Sequence, residues 1–123
     1  MQTYNIVPVS APRMTRSDKW KKRPCVMRYF AFRDQVKEAK IQLQSPCKIT
    51  FYIPMPDSWS GRKRADFNGK PHMNKPDIDN LTKALLDSVF DDDAHMWSIS
   101  VEKFWSEKGA ITVEKFPQDV YLP

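Results

Sequence analysis

The spacing of apolar residues switches between two periods along this chain, and those switches constrain its fold more than any other feature. From Val26 to Leu43 the placement of Tyr29, Phe32, Val36, Ala39 and Leu43 is helical, with Arg33, Lys37 and Lys40 on other faces. From Lys48 to Ile53 the period drops to two: Ile49, Phe51 and Ile53 alternate with Thr50 and Tyr52, as on a strand with one better-buried face. Helical spacing returns at Leu81, Leu85 and Val89, in a segment running from Asp79 or Asn80 to Phe90. Alternation then returns over His95 to Trp105 and over Ile111 to Phe116, with Ser106-Glu107-Lys108-Gly109 between them and Pro117 as a stop. That pattern predicts an antiparallel hairpin. Tyr4 to Val9, rich in β-branched and aromatic residues, adds a short first strand. The order β-α-β-α-β-β predicts an α/β (α+β) fold, a mixed four-stranded sheet packed against two helices. With 123 residues, the chain suits a single domain, 1–123, with one core.

Two stretches lack either period. Ala11 to Arg23 carries Pro12, Ser17 and Asp18 and interleaves Trp20 with basic residues; Pro54 to Pro76 holds four prolines, Gly61 and Gly69. Both read as loops, and an irregular connection as long as the second is usually functional or mobile. Its centre is Arg62-Lys63-Arg64, which suits either a flap gripping a nucleic-acid strand or a solvated insertion.

Immediately after that loop comes Asp77-Ile78-Asp79-Asn80-Leu81-Thr82-Lys83, and beyond the next helix the triplet Asp91, Asp92 and Asp93. In an extended segment, carboxylates two positions apart project to the same side and repel. A hard cation such as Mg2+ relieves that repulsion, and a later Asp from the loop after the helix would complete its ligands. Asp and Asn are also good helix N-caps, so spacing alone leaves an acidic helix entrance open beside a metal site.

The charge of the rest favours a polyanion. The net charge is +5, with basic residues concentrated between Arg13 and Lys40 and again at Arg62, Lys63, Arg64, Lys70 and Lys75. Basic segments flanking an acidic centre suit nucleic acid held by its phosphates. Arg13, Arg16, Arg62, Lys63, Arg64 and Lys75 are the candidate contacts, and Trp20 suits either base stacking or packing on the body. Cys25 and Cys47 are too few for a disulfide scaffold and, like His72 and His95, lack zinc spacing; free thiols in a reducing cytoplasm are expected. No basic, apolar leader opens the chain and no run approaches eighteen apolar residues, so neither export nor a membrane is expected.

The segment from Lys75 to Lys103 resembles the RusA-like Holliday junction resolvases, small endodeoxyribonucleases common in phages and prophages. Their pattern is Asp-x-Asp-Asn-Leu-x-Lys, a helix with a later Asp, then Asp-Asp-Ala-Gln before a strand that carries a Lys. Asp77, Asp79, Asn80, Leu81, Lys83, Asp87, Asp92, Asp93 and Ala94 match it, and Lys103 stands on the following strand; His95 replaces the usual Gln. The resemblance implies a homodimer, in a bacterial host cell, that resolves four-way DNA junctions by paired nicks in recombination and repair. It implies Mg2+ and no small-molecule cofactor. In family register Asp77, Asp79 and Asp93 are the metal-binding catalytic residues and Lys83 the catalytic lysine. A non-catalytic junction-binding module, or a nuclease preferring forks or flaps, is the alternative.

Overall fold

The computed structural model describes residues 1–13 and 23–116. Seven elements follow in order: β1 (Gln2–Tyr4), α1 (Pro24–Glu38), β2 (Cys47–Pro54), α2 (Gly61–Phe67), α3 (Ile78–Val89), β3 (Ile99–Ser106) and β4 (Ala110–Lys115). The expected mixed four-stranded sheet is present, with strand order β1-β4-β2-β3. β2 and β3 are parallel, and β4 is antiparallel to both β2 and β1.

The most apolar strand takes the centre. Cys47, Ile49, Phe51 and Ile53 of β2 share one face with Trp105 of β3 and with Ile111 and Val113 of β4, and all are buried. Onto that face pack Tyr29, Phe32 and Val36 of α1 and Leu81, Ala84 and Leu85 of α3, one turn apart on each helix. The opposite face is polar or amphipathic: Lys48 pairs with Glu102 at 3.4 Å, and the rings of Tyr52 and Phe104 lie 6.4 Å apart. An alternating strand with one wet face reads this way in sequence.

Several expectations are corrected. β3 and β4 do not form a hairpin, because β2 lies between them. Their alternation was compatible with any neighbour; Glu107 to Gly109 reaches over the end of β2, a span of two strand spacings, or about 10 Å. Met55 N–H donates to Ser106 O beneath this crossing. Gly109 passes so close to Val7 that a Cβ there would lie 2.8 Å from Val7 Cα. The first strand is Gln2–Tyr4 rather than Tyr4 to Val9. The first helix ends at Glu38, not Leu43, because Lys40 turns into the left-handed region at φ 54°. Ile41 and Leu43 are still buried, but from an irregular segment. The third strand begins at Ile99, not His95, since Trp97 N–H donates to Ser45 Oγ instead of to a neighbouring strand.

The second loop contains a third helix, α2, that periodicity did not reveal. It buries no residue of its own, so it carries no apolar stripe. Ser60 caps it by accepting from Lys63 N–H, and Trp59 and Phe67 close over its side with rings 5.2 Å apart. Ser60 followed by Gly61 and Arg62-Lys63-Arg64-Ala65 was the available signal. Past α2, residues 69–72 line the outer edge of β3: Gly69 N–H donates to Trp105 O, Trp105 N–H to Lys70 O and His72 N–H to Lys103 O. The sheet edge is thereby covered.

His72 ends that run, 3% exposed against Trp105, with both ring nitrogens lacking a hydrogen-bond partner among the described residues. Burial, reinforced by the nearby Lys103 charge, lowers its pKa below 6.5. The unfolded chain therefore takes up this proton first as pH falls. Stability is fully present above the ordinary histidine pKa and declines as pH drops from there toward the lowered folded-state value. Urea unfolding at about pH 7.5 and about pH 5.5 is expected to show that decline, and His72→Leu to remove most of it. An unchanged slope in the variant would assign the effect elsewhere.

Candidate active site and nucleic-acid surface

The acidic motif sits where the edge-covering segment turns into α3. Asp77 is the N-cap, with extended backbone at φ −70° and ψ 147°, and its main-chain oxygen accepts from Leu81 N–H. Its carboxylate makes no capping bond to the helix. Capping was the alternative to a metal ligand, and this side chain does not cap. Asp79 stands in the first turn, where the helix dipole favours a negative charge, and Asn80 N–H donates to its Oδ1 at 2.9 Å. Lys83 is four residues after Asp79, hence a neighbour on the same helix face. It is exposed and pairs with neither Asp87 nor another described carboxylate. The first turns of α3 thus present two carboxylates and an available ammonium.

Asp93 lies elsewhere. α3 has twelve residues, a length of about 18 Å. The triplet follows its far end, in a turn flanked by the rings of Phe90 and His95, 4.7 Å apart and edge to face. β3 then runs back, starting beside Cys47 and bringing Lys103 alongside Pro76. One chain therefore presents Asp77 and Asp79 at one end of α3 and Asp93 at the other. Among the described residues, no three or more His, Cys, Asp or Glu side chains converge on a metal position. Within the triplet the roles differ: Asp92 Oδ1 accepts from Ala94 N–H and so shapes its own turn, whereas among the described residues no such bond engages the carboxylate of Asp93.

The basic candidates also separate by role. Arg64 is used internally, donating to Pro56 O at 2.9 Å, Met55 O at 3.4 Å and Glu107 Oε2 at 2.8 Å. Lys63 places its ammonium 4.2 Å from the centre of the Trp59 ring, while Arg62 points from an exposed position on α2. Arg64→Ala is expected to cost about 1–2 kcal/mol in urea unfolding and to leave the salt dependence of DNA binding unchanged. Arg62→Ala is expected to do the reverse, lowering the slope of log affinity against log salt by about 1. Interchanged results would reverse these roles.

Arg13 lies in a cleft of about 480 Å³ that abuts Pro76 and is lined also by Arg23 and Arg28. Arg23 Nη2 donates to Arg13 O at 2.9 Å. Sequence clustering named Arg13 but did not single out Arg23 or Arg28, which reach the same cleft from the start of α1. Lys75 is exposed beside it in the chain, and Arg16 and Trp20 lie outside the described residues. A strip of cations thus borders the residue that precedes Asp77.

The family described as endodeoxyribonuclease RusA matches residues 9–114. The chain belongs to the RusA endodeoxyribonuclease family. The match takes in every element from α1 to β3, all but the last residue of β4, the acidic motif and the Asp triplet, so the resemblance in the 75–103 segment extends over nearly the whole fold. No curated protein sequence matches the chain. As a RusA-family protein it is an endodeoxyribonuclease, of a family that acts on branched DNA and generally resolves Holliday junctions. Among the described residues, no helix is long and apolar enough to cross a membrane.

Proposed function

We propose that this endodeoxyribonuclease resolves four-way DNA junctions as a homodimer, using Mg2+ held by Asp77, Asp79 and Asp93. The observation that carries the reading is the uncapped Asp77 carboxylate beside Asp79 and Lys83 on the opening turns of α3. Carboxylate oxygens are suitable donors for a hard cation, and two of them on one helix entrance fit it in kind. The third carboxylate, a helix length away in the same chain, supports assembly of the site from two copies, with Asp93 supplied by the partner. A two-fold dimer also matches a two-fold junction, giving one site for each strand to be cut.

A Mg2+ ion held by Asp77, Asp79 and Asp93 would supply a water of lowered pKa and charge stabilisation at the phosphate. Lys83 is suited to orient the water or to neutralise charge developing on the phosphate oxygens. Arg13, Arg23 and Arg28 in the cleft, with Arg62, Lys63 and Lys75, hold the flanking backbone by contacts that carry no base preference. Hydrolysis leaves a five-prime phosphate and a three-prime hydroxyl.

A cleavage panel of four-way junction, fork, flap and linear duplex with Mg2+ tests the reading. Paired nicks confined to the junction are expected. Preferential cutting of forks or flaps would reassign the substrate, and equal cutting of linear duplex would sink structure selectivity.

A further inference from the structure

Between His72, the last residue bonded to the edge of β3, and Asp77, the cap of α3, lie four residues without such anchors. Met73, Asn74, Lys75 and Pro76 make no backbone-to-backbone hydrogen bond among the described residues. Met73 is 85% exposed, and Pro76 has no N–H to donate. A free segment here would leave the entry to the catalytic helix loosely held. One side chain spans the gap. Lys103 Nζ donates to Asn74 O at 2.6 Å and to Pro76 O at 2.7 Å, from a half-buried position in the middle of β3. Both bonds are charge-assisted and short, and the second ends on the carbonyl that precedes Asp77. Backbone pairing to β3 stops at Lys103 O, which His72 N–H reaches, and the side chain of the same residue continues it.

We propose that Lys103 is a positioning residue for cleavage: its ammonium ties the Asn74 and Pro76 carbonyls to the sheet and so fixes the backbone from which Asp77 presents its carboxylate. Asp77 is then held from both sides, by Lys103 before it and by the Leu81 N–H bond to its own oxygen after it. Lys103 touches neither the water nor the scissile phosphate in this role. Its partners are main-chain oxygens, so its loss acts through the geometry of the metal ligand. Groups that orient metal ligands typically change metal affinity or activity by about 10- to 100-fold when removed.

This inference rests on Asp77 being a ligand in the cleavage site, and the test separates the two. Full-length Lys103→Met, Lys103→Arg and Asp77→Asn are assayed for junction cleavage across a Mg2+ titration, with junction binding measured in EDTA and thermal melting alongside. For Lys103→Met the Mg2+ concentration at half-maximal rate is expected to rise about tenfold or more and the rate at limiting Mg2+ to fall with it, while junction affinity stays within about twofold. Lys103→Arg, which keeps charge and donors, is expected to recover part of the loss. If Lys103→Met melts below the assay temperature, Lys103→Ala with added ethylammonium replaces it, and recovery of cleavage by the amine supports the role. A Lys103→Met enzyme with the wild-type Mg2+ midpoint overturns the proposal, as does one whose defect is confined to junction affinity. Wild-type cleavage by Asp77→Asn would overturn the underlying site reading instead.

Discussion

Asp77→Asn is expected to lower Mg2+-dependent cleavage of a synthetic four-way junction by about 100- to 1,000-fold or more. The substitution removes one negative charge and little else. Asn is as good an N-cap as Asp, and the native carboxylate does not cap α3, so unfolding free energy should change by no more than about 0.5 kcal/mol. Junction binding in EDTA should be kept or slightly strengthened, because a carboxylate is lost from a surface that meets phosphates. Lost cleavage with retained fold and retained binding is a combination that a cap could not produce. A variant that cuts at the wild-type rate would return Asp77 to an ordinary helix entrance. Asp79→Asn should behave alike, apart from a small stability cost from removing an acidic group at the positive end of the helix.

Much of this organisation was legible in the residues themselves. Phe32, Val36, Leu81 and Leu85 announced two amphipathic helices, and Ile49, Phe51 and Ile53 announced the strand they cover; all seven are buried as expected. Strand neighbours were not legible, because alternation in β3 and β4 reports which face is wet and not which strand lies beside it. β2 therefore entered between them unannounced. α2 escaped because it is held by a cap, a ring pair and the Arg64 fork instead of by a buried stripe. In the site, the motif named residues but not their separation. Asp79 and Lys83 are four residues apart on α3, so helix geometry alone makes them neighbours, and Asp77 stands at the cap of the same helix. Asp93 depended on how the chain returned, and it returns at the opposite end. Lys103 could be noticed as a residue on the following strand, but its bonds to Asn74 and Pro76 required the folded edge of β3.

Those separated ends of α3 make the second strong prediction. Asp93→Asn should reduce cleavage about as severely as Asp77→Asn, since both remove a proposed ligand. Asp92→Asn should chiefly affect the local turn, where its Oδ1 accepts from Ala94 N–H. If the site joins Asp77 and Asp79 of one copy to Asp93 of another, the two severe variants damage it from different chains. A heterodimer of an Asp77→Asn chain with an Asp93→Asn chain then carries both lesions in one site and none in the other. If the three carboxylates instead belonged to one chain, each site of that heterodimer would carry one lesion.

The deciding measurement is Mg2+-dependent nicking of a four-way junction by heterodimers purified through two different affinity tags, beside each homodimeric variant. The two-chain site predicts inactive homodimers and a heterodimer that nicks at about half the wild-type rate, cutting one strand without its paired partner. A heterodimer as inactive as its parents, or a chain that forms no dimer, would contradict it.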